Sequence, residues 1–127
     1  MKKRKMIRDF TDLEIYTLAL DLAALIYKLT NKFPDKEKFG ITNQLRRASS
    51  SVGANIAEGF GRYHRKDFTK FLYNARGSLN ETKHFLLLSK ELKYIKNPEL
   101  SKFDYNIKNL GIKINNLIKS INQTINR

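Results

Sequence analysis

The sequence predicts an all-α protein that folds as an up-down-up-down four-helix bundle. Apolar residues recur three and four positions apart in four long segments, and the alternation typical of strands is missing. The two prolines, Pro34 and Pro98, both fall between these segments. A length of 127 residues fits one domain. We predict a basic arm over residues 1–10 and a bundle domain over residues 11–127.

The first helix is predicted to open with a capping box, Thr11-Asp12-Leu13-Glu14. It is predicted to end at Phe33-Pro34, because the residue before a proline is disfavoured in helical conformation. Its main apolar stripe consists of Leu13, Tyr16, Leu20, Ala23 and Tyr27. A second stripe makes the apolar face wider than one neighbouring helix covers, and it consists of Leu22, Ile26 and Leu29.

The second helix is predicted from about Glu37 to Phe60. A run of small residues, Ala48 to Ala54, predicts that another backbone approaches it closely. Gly59 and Gly61 are typical of a helix C-terminus. The predicted core stripe of this helix is Ile41, Leu45, Ala48, Val52 and Ile56.

The third and fourth helices are predicted over about residues 66–94 and after Pro98. The third carries the core candidates Phe68, Phe71, Leu72, Ala75, Leu79, Phe85, Leu86 and Leu92. The fourth has a seam of coiled-coil spacing formed by Leu100, Phe103, Ile107, Leu110, Ile114, Leu117 and Ile121. Ile118 and Ile125 add a second stripe to it. Apolar faces this wide on the first and fourth helices predict self-association.

The charge of the chain predicts a polyanionic partner. Lys and Arg number 25 against 12 acidic residues, which gives a net charge of +13. Such an excess destabilises a compact state by self-repulsion unless an anion binds it. The alternative is AT-rich coding, which enriches Lys and Asn without any functional reason. Cysteine is absent and no apolar run reaches membrane-spanning length. We therefore expect a soluble cytoplasmic protein without a membrane partner.

Arginine and lysine side chains are the predicted contacts to nucleic-acid phosphates, because guanidinium groups bind phosphate bidentately. The candidates in the bundle are Arg46, Arg47, Arg62, Arg65 and Lys66. The candidates in the N-terminal arm are Lys2, Lys3, Arg4 and Lys5. Tyr63 could stack on an unpaired base beside the loop arginines. Two alternatives stay open: Arg46 or Arg47 pairs internally with Glu58 or Glu81, and the arm is a mobile solubilising tail.

A second group of polar residues is predicted to form a structural network. Asn55 lies close to the apolar stripe of the second helix and needs hydrogen-bond partners there. We expect Gln44 or Arg62 to be that partner, with Glu58 and Glu81 as the acidic members of the network.

No constellation in the sequence predicts catalysis, a metal or a cofactor. Glu81 and His84 have the Glu-x-x-His spacing of di-iron bundles, but the required second pair is missing. Arg76 and His84 are too far apart for the Arg–His motif of helical ribonucleases of the higher-eukaryote-and-prokaryote nucleotide-binding class. We predict that the protein is not an enzyme.

Several ordered motifs resemble a known family. They include Asp12-Leu13-Glu14-Ile15-Tyr16, Gln44-Leu45-Arg46-Arg47-Ala48, Asn55-Ile56-Ala57-Glu58-Gly59-Phe60-Gly61-Arg62 and Ala75-Arg76-Gly77-Ser78-Leu79-Asn80-Glu81. In this order they resemble the four-helix-bundle proteins first noted as reading frames in 23S rRNA intervening sequences. The resemblance implies a homopentamer with a basic surface and no known catalytic residues. It also implies a relationship to the accessory variability determinant of diversity-generating retroelements, whose partners are nucleic acid and a reverse transcriptase.

Two functional hypotheses follow. The first is a non-enzymatic, homo-oligomeric module that binds RNA or DNA through backbone phosphates, without sequence specificity because no recognition-helix motif is present. The expected protein partner is then a reverse transcriptase or another nucleic-acid enzyme. The second is a structural or assembly protein whose basic face binds an acidic protein. A helical-bundle ribonuclease is a further alternative.

Overall fold

The computed structural model describes residues 6–62 and 64–125, and these residues form four α-helices without any strand. The helices are α1 (Glu14–Thr30), α2 (Ile41–Phe60), α3 (Arg65–Glu91) and α4 (Asn97–Ile125). Single-turn 3₁₀ helices at Phe10–Asp12 and Asp35–Glu37 precede α1 and α2. The all-α prediction is confirmed.

The four helices pack in a closed square. Each helix contacts the next one along the chain, and α4 returns to contact α1. Within the described ranges, no Cα atoms of the diagonal pairs α1–α3 and α2–α4 come within 8 Å of each other. This is the up-down-up-down arrangement. The start of α1 and the α2–α3 loop therefore lie at one end of the bundle, called here the proximal end. The α1–α2 and α3–α4 loops lie at the other, distal end.

The buried face of α1 is not the predicted main stripe. Leu20 and Tyr27 are 55% and 45% exposed, which agrees with the expectation that one bundle does not cover the whole apolar face of this helix. The narrower second stripe is buried instead, together with Ile15 and Ala19. Because α1 carries apolar residues on most of its sides, periodicity alone did not identify the side that faces α2 and α4.

The start of α1 also differs from the prediction. The capping box at Thr11 is absent, and α1 begins at Glu14 after Leu13, whose side chain cannot cap a helix. The carboxylate of Asp12 instead accepts hydrogen bonds from the backbone N–H groups of Arg8 (3.0 Å) and Asp9 (3.1 Å). Asp12 thus stabilises the preceding 3₁₀ turn.

Helix α2 begins at Ile41 and not at Glu37, because Gly40 has a non-helical backbone, and Glu37 instead takes part in a clasp at the distal end. The Tyr94 hydroxyl donates a hydrogen bond of 2.6 Å to the Glu37 carboxylate, which also accepts the backbone N–H of Ile41 at 3.4 Å. The hydrogen bond from Tyr94 is the main reason that the pKa of Glu37 lies below its ordinary value. The same bond raises the pKa of the Tyr94 phenol. The clasp joins the two distal loops.

The core stripe of α2 is confirmed, since all five of its predicted members are buried. Gly59 has a different role from the predicted one. It lies buried inside α2, where a Cβ would stand 2.6 Å from the Cβ of Phe71 on α3. Gly61 follows the helix with a φ of −75°, which is ordinary right-handed backbone. Close packing between α2 and α3, and not helix termination, accounts for Gly59.

The core of α3 and α4 agrees with the prediction at most positions. Leu92 is an exception, because it follows the end of α3 and is 45% exposed. Ile118 was assigned to a second stripe but is buried in the main core. The buried residues of α4 are Phe103, Ile107, Leu110, Ile114, Ile118 and Ile121. None of the described helices combines the length and hydropathy needed to cross a membrane.

Candidate nucleic-acid interface

Arg46 links α2 to the end of α1 through neutral partners. Its Nε donates to the Thr30 hydroxyl at 2.9 Å, and a terminal nitrogen donates to the Asn31 side-chain oxygen at 3.0 Å. The guanidinium carbon lies 4.8 Å from the ring centre of Tyr27. No carboxylate of the described residues neutralises this charge, but the guanidinium is engaged by two hydrogen bonds and a ring contact.

Arg47 forms an ion pair across the α2–α3 interface. Its guanidinium donates to the Glu81 carboxylate on α3 and to the Gln44 side-chain oxygen at 3.0 and 3.1 Å. Internal pairing with Glu81 was the alternative to a phosphate contact, and the structure shows that pairing. Both partners are partly exposed, at 50% and 38% of their side chains. A phosphate at Arg47 would have to compete with Glu81.

Arg62 is held at the proximal end of α2. It pairs with Glu58 one turn earlier at 2.9 Å, and its guanidinium lies 4.9 Å from the ring centre of Phe71. Both ion-pair partners remain about half exposed. The phosphate contacts predicted at Arg46, Arg47 and Arg62 therefore fall on side chains that already have partners.

Arg65 and Lys66 differ from these three arginines. They occupy the first turn of α3, are exposed, and form no ion pair with a described residue. Lys70 follows one turn later and is equally exposed and unpaired within the described ranges. Cations at a helix N-terminus face the positive end of the helix dipole. Arg65 and Lys66, in the first turn, therefore do not stabilise α3 by their charge.

A groove between α3 and α4 continues from this cationic turn. Its proximal part is a pocket of about 450 Å³ lined by Lys66, Thr69, Lys70, Tyr73, Asn74, Asn122 and Ile125. Next to it, Arg76 donates a hydrogen bond of 2.9 Å to the Asn115 side chain and lies 4.8 Å from the ring centre of Tyr73. Farther along, Lys83 pairs with Asp104 at 3.1 Å. We call the pocket with Arg76 and Asn115 the α3–α4 groove.

The predicted interface did not include Lys70, Tyr73, Arg76 or Asn122. A signal for two of them was present, since Lys70 lies four positions after the predicted contact Lys66 and Tyr73 lies three positions after Lys70, on one helical face. Asn122 lies near the end of α4, and it reaches the first turns of α3 only because α4 is long enough to extend to the proximal end. The predicted contacts Lys2, Lys3, Arg4 and Lys5 and the predicted stacking residue Tyr63 lie outside the described residues.

Gln44, Asn55, Glu58 and Glu81 were predicted to form one polar network, but the structure places them in separate groups of hydrogen bonds. Asn55 donates to the backbone carbonyl and the hydroxyl of Ser51 at 2.8 and 3.1 Å, and not to Gln44 or Arg62. The Ser51 hydroxyl also accepts a hydrogen bond of 3.0 Å from Ser78 on α3. Ser51 of α2 therefore connects the two helices, whereas Gln44, Glu58 and Glu81 accept hydrogen bonds from Arg47 and Arg62.

The described residues offer little else that resembles a reactive site. No group of three His, Cys, Asp or Glu side chains among residues 6–62 and 64–125 could hold a metal ion. Buried side-chain nitrogen and oxygen atoms in these ranges all have hydrogen-bond partners.

Comparison with known proteins identifies the family. A family model described as 23S rRNA-intervening sequence protein matches residues 11–116. The chain belongs to this family. Comparison with curated proteins gives no significant match.

Solved structures related to this 23S rRNA-intervening sequence family member support the fold. One crystal structure, of a protein of unknown function from the S23 ribosomal protein family of Bacteroides thetaiotaomicron VPI-5482, superposes with a TM-score of 0.74. It is 26% identical and covers 83% of this chain and 98% of its own. The bundle is therefore shared with a solved protein whose function is itself unknown.

Proposed function

We propose that this protein is a non-enzymatic, homo-oligomeric module that binds RNA or DNA through backbone phosphates at the proximal end of α3. The observation that carries the proposal is the charge of residues 59–80, where Arg62, Arg65, Lys66, Lys70 and Arg76 are accompanied by a single acidic residue, Asp67. Four of these five cations have no ion-pair partner among the described residues, since only Arg62 is paired, with Glu58. A surface with this charge attracts polyphosphate and releases its counterions on binding.

The arginines of α2 have a supporting role in this proposal. Arg46 and Arg47 hold α2 against α1 and α3, and Arg62 is anchored by Glu58. They add positive potential to the surface without offering free guanidinium groups. The primary contacts therefore move from the paired arginines to Arg65, Lys66 and Lys70.

Self-association is supported by apolar side chains that the bundle leaves exposed on α1. Leu20 lines a depression of about 280 Å³ together with small residues of α2 such as Gly53, Ala54 and Ala57. A face of small and apolar residues favours close packing of another helix. The expected number of five subunits follows from the family resemblance, and several copies would multiply the weak affinity of each cationic face.

Charge reversal at two matched pairs of positions tests the proposal. Arg65→Glu with Lys66→Glu alters the proposed contacts, whereas Lys36→Glu with Lys38→Glu makes the same change of net charge at the distal end. Binding of labelled RNA and DNA is measured by fluorescence anisotropy at several salt concentrations. We expect the first double variant to lower affinity at least about tenfold per lost contact. Its log–log salt slope for duplex DNA should fall by about 1.8, which corresponds to two phosphates.

The other outcomes separate the remaining hypotheses. Equal losses in both double variants would mean that net charge alone, and not this surface, attracts nucleic acid. Unchanged binding in both variants would favour an acidic protein as the partner of the basic face. Cleavage of RNA by the wild type that disappears in His84→Ala would contradict the non-enzymatic assignment.

A further inference from the structure

We propose that the α3–α4 groove is a binding site for single-stranded nucleic acid in which Tyr73 stacks on an unpaired base. This inference rests on the proposed nucleic-acid function and specifies its ligand. The site combines, within one groove, two unpaired lysines, an exposed aromatic ring and two side-chain amides. These are the elements that single-strand-binding grooves use for backbone tracking and base stacking.

The aromatic ring is exposed and supported. Tyr73 lies in the third turn of α3, is 44% exposed and lines the pocket. The Arg76 guanidinium lies 4.8 Å from its ring centre and is itself held by Asn115 at 2.9 Å. A ring fixed in this way loses little side-chain entropy when a base stacks on it. Arg76 adds a cation–π contact to the same stack.

The lysines stand where a strand entering this stack would place its phosphates. Lys66 and Lys70 are one helical turn apart on the face that lines the pocket, so their side chains emerge about 5–6 Å from each other. No described carboxylate pairs with either side chain. They are therefore able to neutralise neighbouring phosphates of one strand.

The amides and the size of the pocket favour an unpaired base over a duplex. Asn74 of α3 and Asn122 of α4 each offer a carbonyl oxygen and an NH₂ group to base edges. The pocket volume of about 450 Å³ lies within the range of sites for small planar ligands. In a duplex the base faces are already stacked on each other and are not accessible to Tyr73. Contact with this pocket therefore requires a single strand.

Anisotropy with labelled strands of about 10 nucleotides and with the corresponding duplex tests the inference. The variants are Tyr73→Ala, Tyr73→Phe and, as a matched control, Tyr105→Ala on α4, which is 73% exposed and outside the pocket. We expect Tyr73→Ala to weaken single-strand binding about 5- to 150-fold, the range for loss of one stacked base. Tyr73→Phe and Tyr105→Ala should remain within about twofold of the wild type, and duplex binding should not change.

Several results would overturn the inference. Tyr73→Ala that leaves single-strand binding unchanged, or that weakens duplex binding equally, rules out base stacking at this ring. A free mononucleotide that competes as well as the strand would assign the pocket to a nucleotide. In both cases the phosphate-binding function remains intact if charge reversal at Arg65 and Lys66 still abolishes binding. Wild-type protein that binds neither strand nor duplex would refute both proposals.

Discussion

Gly59 of α2 lies so close to Phe71 of α3 that a Cβ at position 59 would stand 2.6 Å from the Cβ of Phe71. The same Cβ would lie 3.0 Å from the ring of Phe68, so two aromatic residues of α3 occupy the space beside the glycine. Gly77 offers the opposite situation, because nothing lies within 4 Å of a Cβ built there. Substituting alanine at both positions therefore separates the effect of close packing at Gly59 from the effect of helix propensity, which is the same at both.

Gly59→Ala is expected to destabilise the bundle by about 1–3 kcal/mol, since the neighbouring Cβ is fixed to the α3 backbone and cannot move without separating the helices. Gly77→Ala is expected to stabilise it by up to about 1 kcal/mol, because alanine is the better helix former and meets no obstacle. Urea unfolding followed by circular dichroism measures both changes. Effects of the same sign at the two positions would contradict the packing explanation of Gly59.

Gly59 also illustrates what sequence could predict of the fold. Helix number, order and most core positions followed from apolar periodicity because α2, α3 and α4 each have one clearly apolar side. Periodicity failed on α1, where Leu20 and Leu22 are equally apolar and only contact with α2 and α4 decides which one is buried. The role of Gly59 depends on the distance to another helix, which no local pattern contains.

The candidate interface was predictable to a smaller extent. Cationic residues after Gly59 were visible in the chain, and Arg65 and Lys66 are indeed exposed at the proximal end of α3. Whether an arginine is neutralised depends on partners far away in the sequence, as with Arg47 and Glu81, which are 34 positions apart. Tyr73 and Asn122 line the same pocket only because α3 packs on α4, and this packing is not visible in the sequence. Long-range packing, and not composition, determined these parts of the site.

The ion pair between Arg47 and Glu81 is expected to contribute modestly to stability. Both side chains are partly exposed, so solvent screens the attraction, and a double-mutant cycle should give a coupling energy of about 0.2–1 kcal/mol. The cycle consists of Arg47→Ala, Glu81→Ala and the double variant, measured by urea unfolding. The coupling should decrease at high salt. A coupling near zero at low salt would indicate that Arg47 is in practice free to bind phosphate.

The clasp between Glu37 and Tyr94 is expected to make stability depend on pH. The Tyr94 hydrogen bond lowers the pKa of Glu37 in the folded state, so the bond stabilises the fold above the ordinary glutamate pKa of 4.5. This contribution is lost as the pH falls through the lowered folded value. On the alkaline side, the raised pKa of Tyr94 means that the contribution is complete below the ordinary value of 10.0 and is lost as the pH rises through the raised one.

Tyr94→Phe removes the donor and tests this pH dependence. The difference in unfolding free energy between wild type and variant should be largest near neutral pH and should shrink toward both extremes. Tyr105→Phe is the control, because the structure gives the exposed Tyr105 hydroxyl no hydrogen-bond partner among the described residues. A difference in unfolding free energy that stays constant from acid to neutral pH would show that the hydrogen bond from Tyr94 does not lower the pKa of Glu37.

Leu20 and Leu22 of α1 separate self-association from folding. Leu22 is 2% exposed in the core, so Leu22→Ala should cost about 2–5 kcal/mol of stability, whereas the 55% exposed Leu20 contributes little to the fold of one subunit.

Leu20→Asp places a charge in the apolar depression beside Ala54 and Ala57, where a second copy would have to bury it. We expect native mass spectrometry to show the wild type as a multiple of the 14.8 kDa chain and Leu20→Asp shifted toward the single chain, with its helical content preserved. Leu22→Ala should instead unfold at lower denaturant and keep the wild-type assembly while folded. An assembly unaffected by Leu20→Asp would place the contact between copies elsewhere, because a carboxylate buried without a partner cannot be accommodated at a close interface.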